Sequence, residues 1–160
     1  MSALKLIDSL LTNIDKKSNE TTNDYDDSNI FKSILDGKIP CYKIFENDDC
    51  IAILDAFPMC EGHSLLISKV CKKSIEDFTC IESGNYLQYI PKLCNLVKKA
   101  TNADGVNVLS NVGKDAGQAV FHAHFHVIPR FKNDGLIKLA KSSSKMISKD
   151  KANSILNKMG

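Results

Sequence analysis

The sequence predicts an α+β domain: a five-stranded antiparallel sheet with one main helix and a short N-terminal helix. Three observations predict it. Apolar residues switch between helical and alternating spacing, giving the order helix, three strands, helix, two strands. Successive strands are joined by short connections, which favours antiparallel pairing. The chain has 160 residues, 43% of them hydrophobic and 25% charged, which suits one domain with a core that needs no staples.

The elements follow in order. Leu4, Ile7, Leu11 and Ile14 recur at helical spacing and predict a short amphipathic helix over 3–14. Residues 15–29, DKKSNETTNDYDDSN, hold one aromatic and no aliphatic residue, so 1–29 reads as a partly disordered arm. The domain begins at Ile30. IFKSILDGKIP reads as a short helix with Phe31, Ile34 and Leu35 inward, ended by Gly37 and Pro40. CYKIFE, CIAILDA and HSLLISK are strands, with NDD and FPMCEG as the turns between them. Residues 75–100 read as the main helix, with Leu87, Ile90, Cys94 and Val97 on one face. Pro91 inside it demands a kink or a fresh start. GVNVLSN and AVFHAHFHVIP complete the sheet, joined by the polar loop VGKDAG. The domain spans 30–131, and 132–160 is a lysine-rich extension.

The net charge of +2 hides an asymmetry. Residues 1–29 carry three lysines against six acids, and residues 132–160 carry seven lysines against two aspartates. The basic end reads as a solvated tail, and no nucleic-acid partner is expected from it. No window approaches the ~18 apolar residues of a membrane span. Asp8 interrupts the N-terminal apolar stretch, which lacks a basic start and a small-residue cleavage site, so no signal peptide is read there. The six cysteines form no C-x-x-C pair and read as reduced thiols. A cytoplasmic location follows, with the nucleus also open.

Three of the four histidines stand in HAHFHVI, residues 122–128. Side chains on a strand alternate between faces, so His122, His124 and His126 share one face. Phe121, Ala123, Phe125 and Val127 take the other, leaving a core role for the histidines poorly supported. A metal is the second reading, since two histidines two apart can ligate zinc with a third ligand. Three in a row span roughly 13 Å, too far for one ion to take all of them easily. The third reading is a histidine nucleophile that attacks phosphorus, held and assisted by its neighbours. The upstream loop GKDAGQAV offers backbone N–H groups and Gln118 to an anion.

HAHFHVI fits H-φ-H-φ-H-φ-φ, with φ apolar, and resembles the signature of the histidine triad (HIT) family. SNVGKDAGQAVFHAHFHVIPRF is similar to that family's catalytic stretch, CIAILDAFPMCEGHSLLISK to its nucleotide-binding stretch, and IFKSILDGKIP to its opening helix. The resemblance implies His124 as nucleophile on the α-phosphate of a nucleoside phosphate derivative. It implies His122 as its orienting neighbour, His126 near phosphate and leaving group, and His63 as a fourth active-site member. Asp55 matches the acid that grips the ribose hydroxyls, for which a carboxylate is suited. Asn111, Gly117, Gln118, Ala119 and Val120 match the phosphate pocket. Ile30, Phe31, Ile34 and Ile53 match the apolar wall around the base.

The resemblance further implies an AMP-type purine-nucleotide ligand, no cofactor, and a homodimer in which two sheets continue into one. The activity it implies is a nucleoside phosphoramidase releasing AMP. The alternatives are a dinucleoside polyphosphate hydrolase and a nucleotide-binding adaptor whose catalysis is incidental. Two departures stand out. Some members open with C-x-x-C and bind structural zinc, where this chain has Asn29 and Lys32, so no metal is expected. Ala119 stands where Ser or Thr is frequent, removing one hydroxyl from the phosphate pocket.

Overall fold

The computed structural model describes residues 25–137 and 142–160. The helix expected over 3–14 and most of the expected arm lie outside the described residues. Helix α1 covers Ile30–Leu35, followed by strands β1 (Lys43–Glu46), β2 (Cys50–Leu54) and β3 (Ser64–Ser68). Helices α2 (Cys80–Leu87) and α3 (Ile90–Thr101), strands β4 (Gly105–Leu109) and β5 (His124–Arg130), and helix α4 (Lys149–Met159) complete it. The sheet order is β1-β2-β3-β5-β4, and each neighbouring pair is antiparallel.

The sheet buries both of its faces. Cys50, Ala52, Leu66 and Val127 pack against Tyr86, Leu93 and Val97 of α2 and α3, with Phe125 beside them. On the opposite face Ile51, Ile53, Leu65 and Ile67 pack against Phe31 of α1. Strand alternation along CIAIL and SLLIS produces this split. Across the ladder Leu65 faces His126 and Ile67 faces His124. Both histidines therefore stand on the α1 face.

The expected main helix is two helices. Thr79 caps α2 in a capping box with Glu82, and Pro91 sits in the first turn of α3, where its missing N–H costs nothing. Leu93, fully buried, is the deepest residue of α3 and was not among the four assigned to its inner face. α1 is capped by Asn29, whose side chain accepts from the Lys32 N–H. The C-terminal extension ends in helix α4, capped by Ser148 and without a buried residue.

The fifth strand starts later than the alternation predicts. The His122 N–H donates to the Val120 carbonyl, a tight turn that keeps residues 119–123 out of the ladder. Phe121 is accordingly exposed rather than on a buried face, while Ala123 is buried and exchanges backbone hydrogen bonds with Lys72 and Ser68.

Candidate active site

A cavity of about 450 Å³ opens between α1, the ends of β2 and β5, and the loop before β5. Ile30, Phe31, Ile34, Ile53 and Leu65 form its apolar wall, and His124, His126 and Asp55 meet it. Asn111, Gly117, Ala119 and Val120 close the loop side. Two hollows of similar size, about 510 and 530 Å³, hold no histidine, so chemistry and not volume selects the site.

Backbone groups of fixed polarity assign the ring protons. The His124 Nδ1–H donates to the His122 carbonyl at 2.6 Å, so its Nε2 carries no proton. The His122 Nε2–H donates to the Ser68 carbonyl at 2.7 Å, so its Nδ1 accepts from the Tyr25 hydroxyl. The Met59 N–H donates to His63 Nδ1 at 3.1 Å. The His63 Nε2–H then donates to His126 Nδ1 at 3.0 Å, which leaves the His126 proton on Nε2. The His124 and His126 rings meet edge to face with centroids 5.0 Å apart, and Phe31 packs edge-on to His124 at 4.8 Å.

Burial pushes all four imidazoles below their ordinary pKa, and so keeps them neutral. The Asp55 carboxylate pulls the other way at His63, His124 and His126. Its Oδ1 accepts from the Phe57 N–H at 2.9 Å, and its Oδ2 lies 3.4 Å from His63 Nδ1.

The profile of the HIT domain family matches residues 36–133. The chain belongs to the HIT family. Adenylylsulfatase HINT3 of Arabidopsis thaliana is 36% identical over 129 residues, which cover 74% of this chain and 66% of that protein. The chain therefore spans about two thirds of the plant protein's length. An uncharacterized HIT-like protein of Borreliella burgdorferi is 41% identical over 108 residues, 66% of this chain and 78% of that one. The crystal structure of a HIT-family member from Bacillus subtilis superposes with a TM-score of 0.77 at 31% identity, covering 82% of this chain and 94% of that one.

The HIT fold brings most of the predicted site residues to one cavity, and places three elsewhere. His122 lies fully buried behind the wall, both ring nitrogens engaged. His63 stands behind His126. Gln118 does not line the cavity: its Oε1 accepts from the Gly113 N–H and its Nε2 donates to the Lys73 and Val120 carbonyls. It braces the loop that Asn111 also holds, through a bond from its Nδ2 to the Gly117 carbonyl at 3.1 Å. Ala56, Phe57 and Leu65 line the cavity without having been singled out. Leu65 follows from the strand pairing, and Phe57 is marked by its 89% exposure, which no sequence pattern shows.

No ion can be shared by the triad, because His122 points both nitrogens away from the other two. Among the described residues, Asp55, His63 and His126 are the group whose ligand atoms lie close enough, within 4.8 Å of one another.

Proposed function

We propose that this HIT-domain protein hydrolyses adenosine 5′-phosphoramidates or related nucleotide conjugates at the α-phosphate and releases AMP. One observation carries the reading: the His122 carbonyl holds the His124 proton on Nδ1, which leaves a bare Nε2 at the wall of a nucleotide-sized cavity. His124 Nε2 attacks phosphorus, and the P–N bond breaks. The amine takes its proton from His126, which serves as the acid in its imidazolium form, protonated beside the bound phosphate; the water of the next step returns that proton. Water then attacks the nucleotidyl-histidine, and AMP leaves with His124 restored. Each step uses side chains of this domain and calls for no cofactor. The apolar wall from Ile30 to Ile53 suits a purine base, and Asp55 suits the ribose hydroxyls.

The name of the plant relative favours a second substrate for the same site, adenylyl sulfate. Sulfate leaves without a proton, so that reaction tolerates the missing hydroxyl at Ala119. The test is a turnover panel of AMP-lysine, AMP-amide, adenylyl sulfate and diadenosine tetraphosphate, with intact mass after quenching in alkaline denaturant, which preserves a P–N bond. The expected result is AMP release and an adenylyl adduct, both lost in His124→Ala. Tight AMP binding with neither product nor adduct would instead support an adaptor.

The reading includes a homodimer. The β4 edge, GVNVL, is apolar and leaves Val108 and Leu109 exposed, whereas β1 carries a register shift and the Lys43–Glu46 ion pair. A second sheet would continue from β4. All six cysteines are free thiols, which suits a reducing compartment, and no helix of the described residues is long and apolar enough to cross a membrane.

A further inference from the structure

We infer that Tyr25 is a positioning residue of this site: its hydroxyl clamps His122, whose carbonyl in turn orients His124. This rests on the proposed role of His124 as nucleophile. Tyr25 precedes the HIT match, which starts at residue 36, in the stretch that composition assigns to an arm.

The hydrogen bonds run in one direction. Asn29 Nδ2 donates to the Tyr25 hydroxyl at 2.7 Å, so that hydroxyl gives its own proton to His122 Nδ1. His122 spends its one ring proton on the Ser68 carbonyl and offers its own carbonyl to His124 Nδ1–H. The Tyr25 and His122 rings also meet edge to face, 5.6 Å between centroids. Burial pushes the Tyr25 hydroxyl up to about 12, so it remains a donor across the working pH range.

Two consequences follow. His122 is fully buried, and without Tyr25 its Nδ1 becomes a buried acceptor without a partner, which draws in water or a proton. The peptide of His122 then loses a restraint that fixes the direction of its carbonyl. Asn29 ties the same chain to the nucleotide wall, since its Oδ1 caps α1, the helix that carries Phe31 and Ile34. The clamp therefore joins the apolar wall to the nucleophile through two side chains.

The test is Tyr25→Phe, which removes one oxygen and keeps the ring. With AMP-lysine, kcat should fall about three- to tenfold, the range of one neutral hydrogen bond, while KM and AMP affinity stay within about twofold. In 15N-histidine spectra of the intact protein without substrate, the His122 Nδ1 resonance should shift strongly and that of His124 Nδ1 by less, while His63 stays in place. Tyr25→Ala should repeat the pattern more severely, and a thermal melt reports whether either variant is folded. An unmoved His122 resonance in folded Tyr25→Phe, or a KM rise with unchanged kcat, overturns the clamp. If wild-type protein turns over none of the substrates, the hydrolase reading fails, but the resonances still decide whether Tyr25 holds His122.

Discussion

Gly62 links the stability of the fold to the geometry of the histidines. It has φ +82°, and a Cβ built on it would stand 2.3 Å from Thr101 Cγ2, at the last residue of α3. Gly62→Ala should therefore incur two costs. Left-handed backbone in a residue with a Cβ costs about 1–2 kcal/mol. Overlap with Thr101 adds about 1–3 kcal/mol, since ordinary carbon contacts lie near 3.5–4 Å. Thr101 cannot turn aside freely, because its hydroxyl donates to the Val97 carbonyl at 2.8 Å. The sum is about 2–5 kcal/mol. Thr101→Ser deletes the clashing methyl and keeps the hydroxyl, at about 0.8 kcal/mol on its own. In the double variant the overlap should vanish and the strain remain, a coupling of about 1–3 kcal/mol. Urea denaturation at neutral pH measures all four proteins. The next residue, His63, holds His126, so AMP-lysine turnover should fall in Gly62→Ala and recover in part in the double variant. A Gly62→Ala loss below about 0.5 kcal/mol, or an equal loss in both Thr101 backgrounds, would refute the reasoning.

Acid should disable the site and weaken the fold together. Burial lowers the pKa of His63, His122, His124 and His126 in the folded state, so the unfolded chain binds more protons below its ordinary histidine pKa of about 6.5. Their contribution to stability is present above that pH and is lost as pH falls through the folded values; urea melts from about pH 7.5 to 5 check the sign, and a flat profile contradicts it. The acid limb of kcat/KM should lie below about 6.5, because His124, as the proposed nucleophile, attacks only when neutral. Asp55→Asn, which keeps an oxygen for the Phe57 N–H, should weaken ribonucleotides more than 2′- or 3′-deoxy analogues by about 1.5–3 kcal/mol in calorimetry. Equal losses would make Asp55 structural. His126→Gln should cut AMP-lysine turnover by about 10²–10⁴ and adenylyl sulfate turnover far less, and equal losses would remove His126 as the proton donor.

The sheet and much of the site were legible because alternation is a local property. It separated His124 and His126 from Phe125 and Val127, and the β3–β5 pairing keeps that separation. Alternation failed at His122, where the chain turns on a hydrogen bond to Val120 without Gly or Pro to announce it. Gln118 looked like a phosphate donor because its loop holds glycines; spacing does not show that the Lys73 carbonyl lies within reach. Tyr25 was hidden for the same reason. Its acidic and polar neighbours give it the composition of an arm, and its partner is 97 positions away. Helix α4 did leave a signal, with Ser148 as cap and Ile155, Leu156 and Met159 at helical spacing behind it.

What distinguishes one histidine among four is the pattern of satisfied nitrogens. His122 Nδ1 is taken by Tyr25, His63 Nδ1 by Met59 and His126 Nδ1 by His63. Among the described residues, His124 Nε2 is the one ring nitrogen left as a bare acceptor. The burial that keeps it unprotonated also lowers its basicity, which by itself weakens a nucleophile. The short bond from His124 Nδ1 to the His122 carbonyl acts in the opposite sense, because a donated proton leaves more electron density on the far nitrogen. In the proposed mechanism a neutral imidazole thus stays nucleophilic inside an apolar wall, and the same carbonyl fixes the direction of its attack.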